Sequence, residues 1–265
     1  MAESRLETAN EGIAATGIDA AALKPAECDV SRGVSLPFET LVIDYEGPRH
    51  LPERDVLERL AAEKTVRLTT PVRAEGFDPL GDDELARALP REVGRVLVAG
   101  HSAYLSERER EKAVAPRLGA AIESAPEAWV GTEGVERIAL ATGATQFELL
   151  GRTTGRDLRA LRAAGFAGEI AVYAPTVPAD SEDAILDAVG GYVARRRAVS
   201  RALPEGAQTD ASATGRAREV LLAASADFAL VGPPERIGER VAALREAGAD
   251  AIVGYPASGI ESFLG

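Results

Sequence analysis

The chain is poor in the residues that most catalytic and metal-binding chemistry uses. It has one cysteine, Cys28, two histidines, His50 and His101, one methionine and one tryptophan. A single cysteine can form neither an internal disulfide nor a multi-cysteine zinc site. With only two histidines, neither H-x-H nor H-x-x-x-H spacing occurs, so no metal is expected. A serine-type triad finds no G-x-S-x-G elbow. Of the 30 cationic residues only Lys24, Lys64 and Lys112 are lysines. None ends a strand-like run, which argues against a Schiff-base aldolase. No apolar run approaches the roughly 18 residues of a membrane helix. The N-terminus shows no basic segment followed by an apolar one, so the expected location is the cytoplasm.

Acid, by contrast, is plentiful: 42 Asp and Glu give a formal net charge of −12. That balance disfavours nucleic acid, whose phosphates need a basic surface. The acids are scattered rather than clustered. Acid excess with little lysine resembles the composition of salt-adapted, halophilic proteins, and a haloarchaeal source is the expectation. A chain of 265 residues is long enough for one α/β barrel domain.

Residues 1–38 are weakly periodic and read as an N-terminal arm, with a helix near 8–23. From Thr40 onward, short apolar runs alternate with longer stretches of helical period, the pattern of βα units. Eight runs read as strands: Leu41–Asp44, Val66–Thr70, Val96–Gly100, Ala128–Gly131, Arg137–Ala141, Ile170–Ala174, Phe228–Val231 and Ala251–Tyr255. Ser106 followed by Glu109 forms a capping box, and Gly165 and Gly248 read as C-caps. The expected fold is therefore α/β, a (β/α)8 TIM-type barrel over residues 39–265. It is irregular around the fourth unit, because only Thr132–Glu136 separate two strands where a parallel crossover needs about ten residues or more. An open doubly wound sheet is the runner-up. Against it, Tyr45-Glu46-Gly47-Pro48 follows the first strand instead of G-x-G-x-x-G.

In a barrel, function resides where strands end and βα loops begin. His101, directly after Val96–Gly100, is the leading acid/base candidate. Asp44 and Glu46 form an i, i+2 carboxylate pair after the first strand. Thr69, Thr70 and Tyr173 end other strands. Thr142 and Gly143, and Gly151 within GRTTGR, offer backbone N–H groups for a phosphate. For each, an ordinary cap, turn or core role is the competing reading.

The last third carries a resemblance. Val231-Gly232-Pro233-Pro234-Glu235-Arg236-Ile237-Gly238-Glu239-Arg240, followed by Leu244-Arg245-Glu246-Ala247-Gly248-Ala249-Asp250, resembles the C-terminal signature of the bacterial luciferase-like family. That family includes flavin-dependent monooxygenases and deazaflavin-dependent methylenetetrahydromethanopterin reductases. Ile170–Thr176, Asp180–Ala184 and Gly191–Ala194 are similar to an earlier strand-and-helix unit of the same family. The resemblance covers roughly residues 136–256. It implies a (β/α)8 barrel, FMN or coenzyme F-420 as cofactor, hydride transfer to or from a small-molecule substrate, a phosphate site in the later βα loops, and a homodimer. A non-catalytic or regulatory barrel that has lost its cofactor is the alternative.

Overall fold

A computed structural model describes residues 12–73, 83–100 and 106–264. Nine parallel strands alternate with helices: β1 (Ala20–Leu23), β2 (Thr40–Ile43), α1 (Arg54–Glu63), β3 (Thr65–Pro71), α2 (Asp83–Ala88), β4 (Gly94–Val98), α3 (Glu107–Arg110), α4 (Val114–Ser124), β5 (Trp129–Gly131), α5 (Glu136–Ala141) and β6 (Gln146–Leu149). There follow α6 (Thr154–Ala163), β7 (Ile170–Pro178), α7 (Glu182–Ile185), a π turn (Leu186–Gly190), α8 (Gly191–Ala194), α9 (Arg197–Ala202), α10 (Gly215–Phe228), β8 (Leu230–Gly232), α11 (Pro234–Ala247), β9 (Ala251–Pro256) and α12 (Glu261–Leu264).

The strand order is β6-β5-β4-β3-β2-β1-β9-β7-β8, and β6 also pairs with β7. β1–β7 and β9 therefore close into an eight-stranded parallel barrel, the (β/α)8 fold. β8 stands outside that ring, pairing Thr176 with Leu230 on β7.

Three expectations need correction. Arg137–Ala141 is not a strand but most of helix α5. Its Ala, Leu and Arg are strong helix formers, and Val135 and Ala139, four apart, bury together. The strand at this place is β6, QFEL, so the crowding around the fourth unit disappears. The irregularity lies at β8 instead. Finally, Ala20–Leu23, inside the stretch read as an arm and a helix, is a sheet strand paired with β2.

By contact density the chain divides into two units. The first comprises Ala20–Leu149 and Phe166–Val172. In it the register pairs Val42 with Arg67, Thr69 with Val96, Val96 with Trp129 and Gly131 with Phe147, so these residues share one face. Leu97 and Val130 point the other way and bury with Leu118 and Ala121 of α4 and Ala139 of α5. Leu118 has no exposed surface, so truncation to Ala should cost about 2–5 kcal/mol. Arg67 lies over the Trp129 ring at 4.4 Å and donates to Glu127 O. Gly94 leaves it room, since a Cβ there would stand 3.1 Å from Arg67 Nη1. Burial pulls the Arg67 guanidinium below its usual range, opposed by Glu127 and Glu169.

The second unit comprises the residues up to Asp19, Leu150–Gly165 and Tyr173–Gly265. Leu186, Val193, Ala217, Leu221 and Ala224 form one cluster between the α7–α8 run and α10. Gly190 is required at the π turn, because a Cβ would meet the Thr209 carbonyl oxygen at 2.2 Å. Asp19 ties β9 to the start of the chain. Its carboxylate accepts from the Ile252 N–H and from Arg245, and its own N–H donates to Ile252 O at 2.9 Å.

Candidate functional site

Within the first unit, the C-terminal ends of the strands carry four of the nine residues singled out above: Asp44, Glu46, Thr69 and Thr70. Asp44 is half-buried just past β2, and its N–H donates to Leu23 O at 2.8 Å. Glu46 Oε2 accepts from the Ala26 N–H at 2.8 Å, so this carboxylate ties the β1 exit loop to the β2 exit. β2 ends at Ile43, so Asp44 and Glu46 lie on the exit segment past the strand rather than on one face of it. Thr69 is nearly buried, and its Oγ1 accepts from the Tyr45 N–H at 2.7 Å. Thr70 is fully buried beside Leu97 in the register, and its hydroxyl donates to Leu68 O at 3.1 Å. Both hydroxyls are thus engaged within the protein. Cys28, in the β1 exit loop, donates to Lys24 O, and burial pushes its thiol pKa up, with Glu27, Asp29 and Glu46 adding to the rise. An elevated thiol is a poor nucleophile.

His101 lies outside the described residues, but what leads up to it is well defined. Gly100 packs on the β5 exit so closely that a Cβ would stand 2.1 Å from Glu133 O. Arg117, on α4 and 8% exposed, donates from Nη1 to Val72 O at 2.7 Å and from Nη2 to Ala99 O at 2.8 Å. One guanidinium thus holds the exits of β3 and β4 together. Burial lowers its pKa and Glu109 opposes that shift. Glu109 is itself 2% exposed and takes both Nε and Nη2 of Arg73, at 2.8 and 3.2 Å. It also accepts from the Ser106 N–H, completing the capping box read from the sequence. At the next exit, the Thr132 hydroxyl bonds the Glu148 carboxylate. The sequence reading missed Arg117 and Gly100. An arginine on the apolar face of a helix, among Leu118 and Ala121, was the available signal.

Thr142 and Gly143 need correction as strand-end residues. They follow helix α5 and precede β6, so they lie at the N-terminal end of a strand, opposite the βα loops. Thr142 Oγ1 donates to Ala139 O at 2.6 Å, and Gly143 has φ +70°, which closes the helix. The misplacement follows directly from reading α5 as a strand.

In the second unit, Gly151 does lie in a βα loop, immediately before α6. Its N–H donates to Thr154 Oγ1 at 2.8 Å. Thr153, the N-cap, makes no side-chain cap bond, and Arg152 and Arg156 are exposed beside it. Tyr173 of β7 and Tyr255 of β9 are buried and stack nearly parallel, with centroids 6.3 Å apart and a 9° interplanar angle. Among the described residues no group of three His, Cys, Asp or Glu side chains could hold a metal ion, and no helix is long and apolar enough to cross a membrane.

Comparison with solved structures shows the fold again. The chain is similar to an F420-dependent secondary alcohol dehydrogenase in complex with an F420-acetone adduct, at 11% identity and TM-score 0.54 over 93% of this chain and 98% of that one. It is also similar to apo-MsnO8, at 13% identity and TM-score 0.54 over 93% of this chain and 95% of that one. At such identities the likeness is one of fold. Comparison with curated protein sequences finds none that matches. One family model does match, over residues 13–263, and by that match the chain belongs to the family of unknown function DUF7388.

Proposed function

We propose that this protein is an oxidoreductase of the luciferase-like type that binds FMN or the deazaflavin F420 and moves a hydride to or from a small substrate. The observation that carries the reading is the barrel shared, over nearly its whole length, with an F420-dependent alcohol dehydrogenase. The signature at residues 231–250 adds to it. A bound flavin or deazaflavin would supply the hydride chemistry.

The chain's own residues fit such a ligand in some places and not in others. The start of α6 is the place where a phosphate would be held, by the Gly155 N–H and by Arg152 and Arg156; it would have to displace Asp227 and Asp157 from those arginines, and the Thr154 and Arg156 N–H groups already donate to Gly151 O and Thr153 O. Gly151 shapes that turn. Thr70 does not fit, since its hydroxyl donates to Leu68 O, whereas Thr69 accepts from the Tyr45 N–H and keeps its own proton to donate to a ligand. Thr142 and Gly143 do not fit either, from the wrong end of the strand. Asp44, Glu46 and His101 are the candidates for holding or moving a proton.

The test is a fluorescence titration of the purified chain with FMN and with F420, in concentrated KCl. Saturable quenching or enhancement with one of them is expected. Arg152→Glu with Arg156→Glu should weaken that binding roughly tenfold or more, the effect of losing charge-assisted phosphate contacts. No binding of either cofactor would refute the reading.

A further inference from the structure

The barrel wall of the first unit carries a buried hydroxyl proton that nothing in the chain uses. Thr69 is 6% exposed and shares with Val96, Trp129, Gly131 and Phe147 the face that looks away from the helices. Its Oγ1 accepts from the Tyr45 N–H at 2.7 Å, but among the described residues its own proton finds no acceptor. Thr70 and Thr176, also buried on strands, donate to Leu68 O and Ala174 O, each at 3.1 Å. A hydroxyl proton left unused at such depth costs free energy until something outside the chain accepts it. The Trp129 indole N–H likewise makes no hydrogen bond among the described residues.

Around these two donors the wall is apolar. Arg67, two residues before Thr69 on β3, is engaged with the Trp129 ring and Glu127 O. Towards the strand exits Val98 and Gly131 are half-buried, whereas Leu97 and Val130 on the opposite face have no exposed surface. Gly131 lies beside Phe147 in the register. A Cβ on it would find Leu97 O at 3.4 Å and Val98 Cγ2 at 3.7 Å, both ordinary contacts, and its φ is not positive. Neither packing nor backbone conformation requires glycine there, in contrast to Gly100. The missing side chain leaves space on the wall beside Val98 and Phe147.

We infer that this wall binds the substrate, and that the substrate is an uncharged, apolar carbonyl compound of ring size, or the matching alcohol. Its oxygen accepts from the Thr69 hydroxyl, and its hydrocarbon body fills the space over Gly131. The Tyr45 N–H takes one lone pair of Thr69 and leaves the hydroxyl as a donor, which suits an acceptor oxygen. An ionic substrate finds no unengaged charge among the β3–β6 residues of this wall and would lose its hydration there. When the carbonyl carbon takes a hydride from a reduced flavin or deazaflavin, the C=O electron pair moves onto the oxygen, and solvent supplies the proton that completes the alcohol. Thr69 donates throughout and keeps its proton. The redox step rests on the function proposed above, while the binding rests on Thr69 and Gly131.

Trp129 is the only tryptophan of the chain and stands on this wall, so its emission reports binding without turnover. The test titrates the purified full chain with cyclohexanone, without added cofactor, in concentrated KCl. A saturable change in emission is expected; quenching that only rises linearly with concentration is collisional and would overturn the inference. Thr69→Val should weaken binding roughly three- to tenfold, the effect of one hydrogen bond. Thr69→Ser keeps the donor and should stay within about threefold of the parent. Gly131→Val fills the space and should weaken binding roughly tenfold or more. Thr69→Val binding as the parent does, or Thr69→Ser as poorly as Thr69→Val, would show that the donor is not what the ligand meets. Cyclohexanone binding in a chain that takes neither FMN nor F420 would support this site and refute the oxidoreductase reading. Cofactor binding without cyclohexanone binding would refute this site and leave that reading standing.

Discussion

Gly100 is the point at which the exit of β4 touches the exit of β5, and replacing it by alanine tests that contact. The backbone of Gly100 is not in the left-handed region, so alanine is conformationally allowed there. On backbone entropy alone the change would stabilise by about 0.4–1 kcal/mol. The contact decides otherwise. The new Cβ would stand 2.1 Å from Glu133 O, about 1.4 Å inside the roughly 3.5 Å of ordinary van der Waals separation. The opposing atom is a backbone carbonyl and cannot rotate away. Overpacking of this kind costs about 1–3 kcal/mol, so the net effect is about 1–2 kcal/mol of destabilisation. For a chain of this size that lowers Tm by about 2–8 °C. Gly119 is the control: it lies on α4, is exposed, and a Cβ there meets nothing within 4 Å. Gly119→Ala should raise Tm by about 1–4 °C. Thermal unfolding followed by circular dichroism in concentrated salt measures both. If Gly100→Ala melts with or above the parent, the packing of the two exits is not as described.

Arg117→Met should destabilise by about 2–4 kcal/mol, because two strand-end carbonyls lose a charged donor while the helix stem still packs; chemical denaturation reads it. Asp157, at the start of α6, has its carboxyl pKa lowered by the hydroxyl of Thr153 and by Arg156. Its stabilising contribution is full above the unfolded-chain Asp pKa and disappears as pH falls through the lower folded value. Asp157→Asn should therefore flatten the acid limb of the stability–pH curve while changing its neutral-to-alkaline part by a constant. An unchanged acid limb would contradict that assignment.

Much of the barrel was legible because its strands are buried on both faces and read as continuous apolar runs. Val66–Thr70, Val96–Gly100 and Ile170–Ala174 fall on β3, β4 and β7 for that reason. β1 was not legible: AAAL is an alanine-rich segment with helical propensity, and only its place between neighbours makes it a strand. β6, QFEL, alternates polar and apolar, with Gln146 spending its amide on Ala139 O and Ala144 O. Reading residues 137–141 as a strand places Thr142 and Gly143 at the wrong end of the unit. Thr70 shows a different limit. That it ends a strand could be read, but its facing the helices depends on register, which no single strand reveals.

The clasp at Asp19 bears on the order of events in folding. It joins residues 226 and 233 positions apart, almost the whole chain. Bringing together the ends of a loop of that length costs about 5 kcal/mol in entropy by the (3/2)RT ln n relation, before any contact forms. The pairings of β1 with β2 and of β2 with β3 close far shorter loops. That cost places the clasp among the expected late steps, which Asp19→Ala tests: unfolding should quicken while the folding rate stays nearly constant. Contacts of that kind leave the folding rate nearly untouched and set the rate of opening. Three groups (the Asp19 carboxylate, the Ile252 N–H and the Arg245 guanidinium) thereby act on the lifetime of the closed barrel more than on its formation.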